Sequence, residues 1–162
     1  MRTILAQPLT KDRFSPYGAF ADLLQPEGFK LGDPAAEFFP DLLRVFPGAA
    51  MAGLSVVRTV HRPWVVDTAE QHDLATEILL PLDGDIICFV APPCAAFPAA
   101  QTEAFLVPRG TAIAVKPGVW HKAPFPAAPQ TVHTLVLLPE RTYAVDCRVQ
   151  TPAAEERIEI LL

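Results

Sequence analysis

Two stretches of this chain carry acids and imidazoles at spacings that could do chemistry. The first is Glu70-Gln71-His72-Asp73-Leu74-Ala75-Thr76-Glu77, followed by an apolar run and Gly84. Side chains on a strand alternate faces, so Glu70 and His72 leave one strand on the same side and Glu77 can face them from the next. The second runs from Gly110 through Thr111-Ala112-Ile113-Ala114-Val115 to Lys116-Pro117-Gly118-Val119-Trp120-His121. It reads as a strand, a tight turn at Pro117-Gly118, and a histidine opening the next strand. Brought together, these residues form a cluster able to hold a metal ion. Other catalytic signatures are missing. Ser15 and Ser55 are the only serines, neither in GxSxG, and the chain has no GxGxxG after a strand and no P-loop. Cys88, Cys94 and Cys147 include no CxxC pair, which argues against a disulfide framework or a thiolate zinc site and suggests a reducing, cytoplasmic setting. Cys88 and Cys147 lie in apolar runs and read as inert small hydrophobes.

Strands must bring that cluster together, and the composition favours strands. The chain has 162 residues, 51% of them hydrophobic, enough for one domain with a large core. Its 18 prolines would cut any long helix short. From Ala50 onward, runs of five to eight residues rich in Val, Ile, Leu and Thr are separated by turn residues. The candidate strands are MAGLSVVRTV, ATEILLPL, DIICFVA, AFLVP, TAIAV, a short piece after His121, TVHTLVLLP and YAVDCRV. Short strands at roughly ten-residue spacing indicate a sandwich or small barrel, so the fold class expected is all-β. The expected organisation is a single domain over residues 1–162: an irregular N-terminal arm with a short helix over LTKDRF (1–49), a barrel (50–150) and a tail (151–162) that is either strand or helix. A net charge of -5 gives no basic surplus for nucleic acid. The apolar runs are too short to span a membrane as helices, and the first residues lack an export signal.

With those motifs in view, the sequence resembles the cupin superfamily, double-stranded β-helix barrels of jelly-roll type. His72, Glu77 and Gly84 stand at the spacings of the first cupin motif, and Gly110, Gly118 and His121 at those of the second. Glu70 replaces the first motif's opening histidine, and Lys116 replaces the proline of the second. The resemblance implies a barrel that holds Glu70, His72, Glu77 and His121 around a divalent ion. Two imidazoles with one or two carboxylates suit nickel, iron, manganese or zinc.

A closer resemblance covers most of the chain. FSPYG, SVVR at Ser55–Arg58, the His72 segment, PLDGDIICFVA, GVWH at Gly118–His121 and VDC follow the order seen in ureidoglycolate lyases. Gln71, Asp73, Glu77 and Lys122 depart from that family's usual residues. The resemblance implies cleavage of ureidoglycolate to glyoxylate and urea in allantoin (purine) catabolism, nickel as the first metal to consider, and a homodimer. In such a reaction Glu77 or Glu70 would act as base, its pKa raised by an apolar barrel, and His72 or His121 would protonate the departing urea. Arg58 is the first choice for the substrate carboxylate, because its planar fork matches two oxygens, with Lys122 and Lys116 in reserve. Trp120 reads as a packing wall and Tyr17 as a turn residue within possible reach of the substrate. His133, mid-strand, reads as a core histidine and His61 as loop. Two other classes compete: a metal cupin of other activity, such as an oxygenase or isomerase, and a non-catalytic barrel that binds a small acid or sugar.

Overall fold

Strands form where β-branched and aliphatic residues run between prolines and glycines. The structure is a computed structural model that describes residues 1–49 and 51–162; the expected boundary at Ala50 falls on the one residue outside the described set. The strands, in chain order, are β1 (Arg2–Pro8), β2 (Gly18–Asp22), β3 (Leu31–Asp33), β4 (Ala36–Phe38), β5 (Ala52–Thr59), β6 (Val65–Val66), β7 (Ala69–Gln71) and β8 (Glu77–Pro81). They continue with β9 (Ile86–Val90), β10 (Glu103–Val107), β11 (Thr111–Val115), β12 (Phe125–Pro126), β13 (Val132–Pro139), β14 (Arg148–Gln150) and β15 (Ile158–Leu161). Two one-turn helices, α1 (Lys11–Phe14) and α2 (Thr142–Val145), interrupt them. One sheet has the order β12-β9-β10-β1-β15-β6 and a second β2-β11-β8-β13-β5, while β14 pairs with β7 and β3 with β4. The expected all-β fold is what the chain forms, built mainly from these six- and five-stranded sheets. Among the described residues, no helix is long and apolar enough to cross a membrane.

The period-2 rule shows in the core. Along β9, Ile86, Cys88 and Val90 join Phe14, Phe105, Ile113 and Val115 in one apolar cluster. The alternate residues Ile87 and Phe89 point the other way, into a second cluster with Val66, Trp120, Phe125 and Ile158. Every residue of β9 is buried, so the strand reads as a continuous apolar run. Each such aliphatic or aromatic side chain contributes roughly 1.5–3 kcal/mol by leaving water.

Three expectations are corrected, and the open alternative for the tail is settled. The first 49 residues are more ordered than their punctuation suggests. β1 lies inside the six-stranded sheet, parallel to both β10 and β15, and β2 pairs antiparallel with β11. These partners are far away in sequence, so local turn residues gave no sign of them. The stretch YAVDCRV is not one strand: Arg141 takes a left-handed conformation (φ 64°), one helical turn follows in α2, and only Arg148–Gln150 is extended. The tail resolves as strand β15 after a short 3-10 turn at Ala154–Glu156. His133 is not a core histidine. Its Nδ1 lies 2.6 Å from Asp83 Oδ2 at the surface, and its amide donates to Asp83 Oδ1 at 2.7 Å.

Candidate active site

Three backbone features carry the acids and imidazoles to one place. Glu70 in β7 and His121 exchange both amide-to-carbonyl hydrogen bonds, at 2.7 and 2.8 Å, so they are direct cross-strand partners with side chains on one face. His72 follows β7 at once, and its carbonyl accepts the Gly118 amide at 2.6 Å, joining the first motif to the turn of the second. Gly118 has φ +78°, a conformation that residues with a Cβ rarely adopt, which is why glycine stands there. Glu77 opens β8, opposite Val115 of β11. The three side chains are nearly inaccessible to solvent: Glu77 is 7% exposed, His72 4% and His121 2%.

The hydrogen bonds fix how each ring faces. His72 Nδ1 donates to the Asp146 carbonyl at 2.6 Å, and His121 Nδ1 donates to the Val119 carbonyl at 2.9 Å. A carbonyl only accepts, so Nδ1 carries a proton in both rings, and it is Nε2 that faces the cluster. Both Nε2 atoms converge on one oxygen, Glu77 Oε2, at 2.5 Å from His121 and 3.3 Å from His72. The ring centroids are 5.3 Å apart.

Burial by itself would raise the Glu77 carboxyl, but the charge and hydrogen bonds of His121 and then His72 outweigh it and hold the group down at about 2. This reverses the expectation of a carboxyl raised toward neutrality. The apolar wall was legible in sequence, but two imidazoles sharing one carboxylate oxygen were not. For His72, burial pushes the ring's pKa down, while hydrogen bonds to Glu77 and to the Asp146 carbonyl, with the charges of Glu77 and Glu70, push it up further, so the net shift is upward. Burial and the nearby Glu77 charge push the Cys88 thiol up to about 12, leaving it an inert hydrophobe as read from sequence.

The donors fit a divalent ion. With Nδ1 donating to carbonyls, Nε2 is the nitrogen each imidazole turns toward the cluster, and on loss of its proton it is the atom that would ligate a cation. The ligand atoms of Glu70, His72 and His121 lie within 4.8 Å of one another. Glu70 Oε2 also accepts from Lys122 Nζ at 2.7 Å and lies 3.8 Å from Cys147 Sγ. Lys122 therefore reaches the cluster through Glu70.

The other sequence candidates are placed elsewhere. Lys116 Nζ donates to the carbonyls of Ser15 (2.6 Å) and Pro16 (3.4 Å), which ties down the N-terminal turn. Tyr17 is buried, and its hydroxyl donates to Glu103 at 2.9 Å; burial and that carboxylate push it up to about 12. Trp120 is fully buried as a wall beside Phe97, its Nε1 donating to the Cys94 carbonyl at 3.1 Å. Arg58 lies on the exposed side of β5, the strand at the end of its sheet, alongside exposed Leu54 and Val56. Its neighbours Val57 and Thr59 take the inward positions, so the period-2 rule places Arg58 outward, with the substrate-facing choice at the wrong parity. Sequence reasoning missed Asp146. It acts on His72 through a backbone carbonyl, which leaves no residue-type signal, although it sits inside the VDC block.

The whole chain can be compared with known proteins. The family model described as ureidoglycolate lyase matches residues 1–160. The ureidoglycolate lyase of Rhodobacter capsulatus is 31% identical over 126 residues, covering 75% of this chain and 77% of that one. The protein of the same name from Chelativorans sp. is 26% identical over 125 residues, with 75% and 76% covered. The putative ureidoglycolate lyase of Agrobacterium fabrum is 30% identical over 138 residues, with 80% and 78% covered. Among solved structures, Bacillus subtilis oxalate decarboxylase overlaps with a TM-score of 0.44 at 14% identity, over 62% of this chain and 23% of that one. The family match spans both motifs, the N-terminal strands and the segment behind His72. By that match, the chain belongs to the ureidoglycolate lyase family.

Proposed function

We propose that the chain cleaves ureidoglycolate to glyoxylate and urea, a carbon–nitrogen lyase reaction of purine breakdown. The observation that carries the chemistry is the meeting of His72 and His121 Nε2 on Glu77 Oε2 at 3.3 and 2.5 Å. The substrate is a hemiaminal, with a hydroxyl, a carboxylate and a ureido nitrogen on one carbon. Cleavage removes the hydroxyl proton, turns that C–O bond into the aldehyde carbonyl of glyoxylate, and sends the C–N electron pair to nitrogen, which takes a proton to become urea. Glu77, held ionised, accepts the hydroxyl proton. The proton shared between Glu77 and an imidazole is placed for delivery to the departing nitrogen. Both imidazole contacts fall on Oε2, and among the described residues Oε1 has no hydrogen-bond partner, so it is the oxygen for the substrate. The residues before His121, Val119 and Trp120, are fully buried, which limits the access of water to that ring.

Glu70, His72 and His121 would hold a divalent cation, with nickel first by the family resemblance and zinc, manganese or iron as the other choices. When bound, such an ion lowers the pKa of a coordinated hydroxyl. Two finer parts of the proposal are a cytoplasmic enzyme, from the cysteine pattern, and a homodimer, from the family resemblance. The exposed apolar residues of β5 support the second. The test is urea release from racemic ureidoglycolate by protein purified without chelators and assayed for metal. Urea production above the spontaneous rate, lost in Glu77→Gln, supports the proposal; a wild-type rate equal to background overturns it.

A further inference from the structure

The contacts that fix His72 come from one short segment behind it. After α2 the chain passes through Asp146 and Cys147 into β14, where Arg148 pairs with Gln71 of β7. Asp146 grips the His72 loop twice. Its carbonyl accepts from His72 Nδ1 at 2.6 Å, and its carboxylate accepts three successive amides, those of Asp73 (2.8 Å), Leu74 (3.0 Å) and Ala75 (3.1 Å). Arg148 adds a two-pronged bond to Asp73, at 2.8 and 2.9 Å to its two carboxylate oxygens. The three amides belong to the loop that runs from His72 to Glu77, so one carboxylate governs the spacing of imidazole and acid. Hydrogen bonds from amides to an ionised carboxylate are roughly twice as strong as neutral ones, which suits a clamp rather than a passing contact.

We propose that Asp146 is a positioning residue of the site. Its carboxylate anchors the 73–75 loop so that its own carbonyl stays on His72 Nδ1 and Nε2 stays turned toward Glu77 Oε2, the nitrogen that would ligate a cation once its proton is lost. The proposal rests on the reading of His72 as a ligand or proton-handling group. A control of the same kind exists elsewhere: Asp22 Oδ1 accepts the amides of Leu24 (2.9 Å) and Gln25 (3.0 Å) at a surface turn.

The test compares wild type, Asp146→Ala, Asp146→Asn and Asp22→Ala by nickel(II) and zinc(II) affinity, measured in competition with a coloured chelator. It adds imidazole 15N spectra of the metal-free proteins recorded over a series of pH values. Loss of an outer partner of a metal-binding histidine weakens affinity by about 10- to 100-fold, which is the drop expected for Asp146→Ala. Asp146→Asn keeps one acceptor oxygen and falls between, while Asp22→Ala binds as wild type. In its neutral form wild-type His72 keeps its proton on Nδ1, and Asp146→Ala shows a mixture of tautomers. Folded Asp146 variants with wild-type affinities and wild-type nitrogen shifts overturn the proposal. Should neither variant fold, the wild-type spectrum decides, and a ring without a proton on Nδ1 overturns it. A wild type that binds neither ion and releases no urea removes the functional reading, and the nitrogen spectra still judge Asp146.

Discussion

At the scale of single residues, the site is an anion held by two imidazoles. Glu77→Gln keeps the shape and removes the charge. Urea release from this variant is expected to fall by about 10²- to 10⁴-fold, the usual weight of a positioned acid or base; activity within a few-fold of wild type contradicts the role. The same groups set the pH dependence of stability in the metal-free protein. Glu77 is lowered from 4.5, so its stabilisation is complete above that value and disappears as pH falls toward about 2. His72 is raised from 6.5, so its contribution is complete below that value and fades as pH rises through the raised one. Melting temperature in chelator is expected to peak between pH 4.5 and 6.5 and to flatten in Glu77→Gln. A curve that keeps climbing above the ordinary imidazole value contradicts it. Lys122 competes with any cation for Glu70. Lys122→Met is expected to strengthen nickel binding by about two- to fivefold, the scale of a part-exposed ion pair, and weaker binding in titration runs against this.

At the scale of elements, the turn at Pro117-Gly118 joins the two motifs. An alanine at Gly118 meets a φ of +78° and puts its Cβ 3.2 Å from Pro93 Cβ. The left-handed conformation costs a residue with a Cβ roughly 1–2 kcal/mol, so Gly118→Ala is expected to melt several degrees lower and to bind metal more weakly. An unchanged melting curve counts against the turn's role. This part of the molecule was readable because its signal is local: TAIAV is β11 residue for residue, and the glycine and histidine follow at fixed spacing. The parity of Glu70, His72 and Glu77 was also local, and the motif spacing of the family resemblance added His121. What escaped were features that depend on distant partners. β1 gains its place from parallel neighbours far along the chain, β10 and β15, and α2 forms in an apolar run that alternates well enough to read as a strand. Arg58 was chosen for its chemistry, whereas the facing of β5 was set by its pairing with β13.

At the scale of the whole molecule, two sheets and their two apolar clusters fix a buried acid against two histidines, and apolar side chains stand exposed on the strand that ends the five-stranded sheet. Leu54 and Val56 are 70% and 61% exposed on β5, whose outer edge ends the five-stranded sheet. Natural sheets protect such edges, and a second copy is the cover that the proposed homodimer supplies. Val56→Lys is expected to shift the protein from dimer to monomer in light scattering; a wild type that is already monomeric contradicts the assembly and leaves the chemistry untouched. The direct measurement of the central claim is the rate of urea release from racemic ureidoglycolate by the metal-replete protein beside its Glu77→Gln variant. The account predicts release well above the spontaneous rate for the first and close to it for the second. Equal rates in both, or no release above background in either, would contradict it.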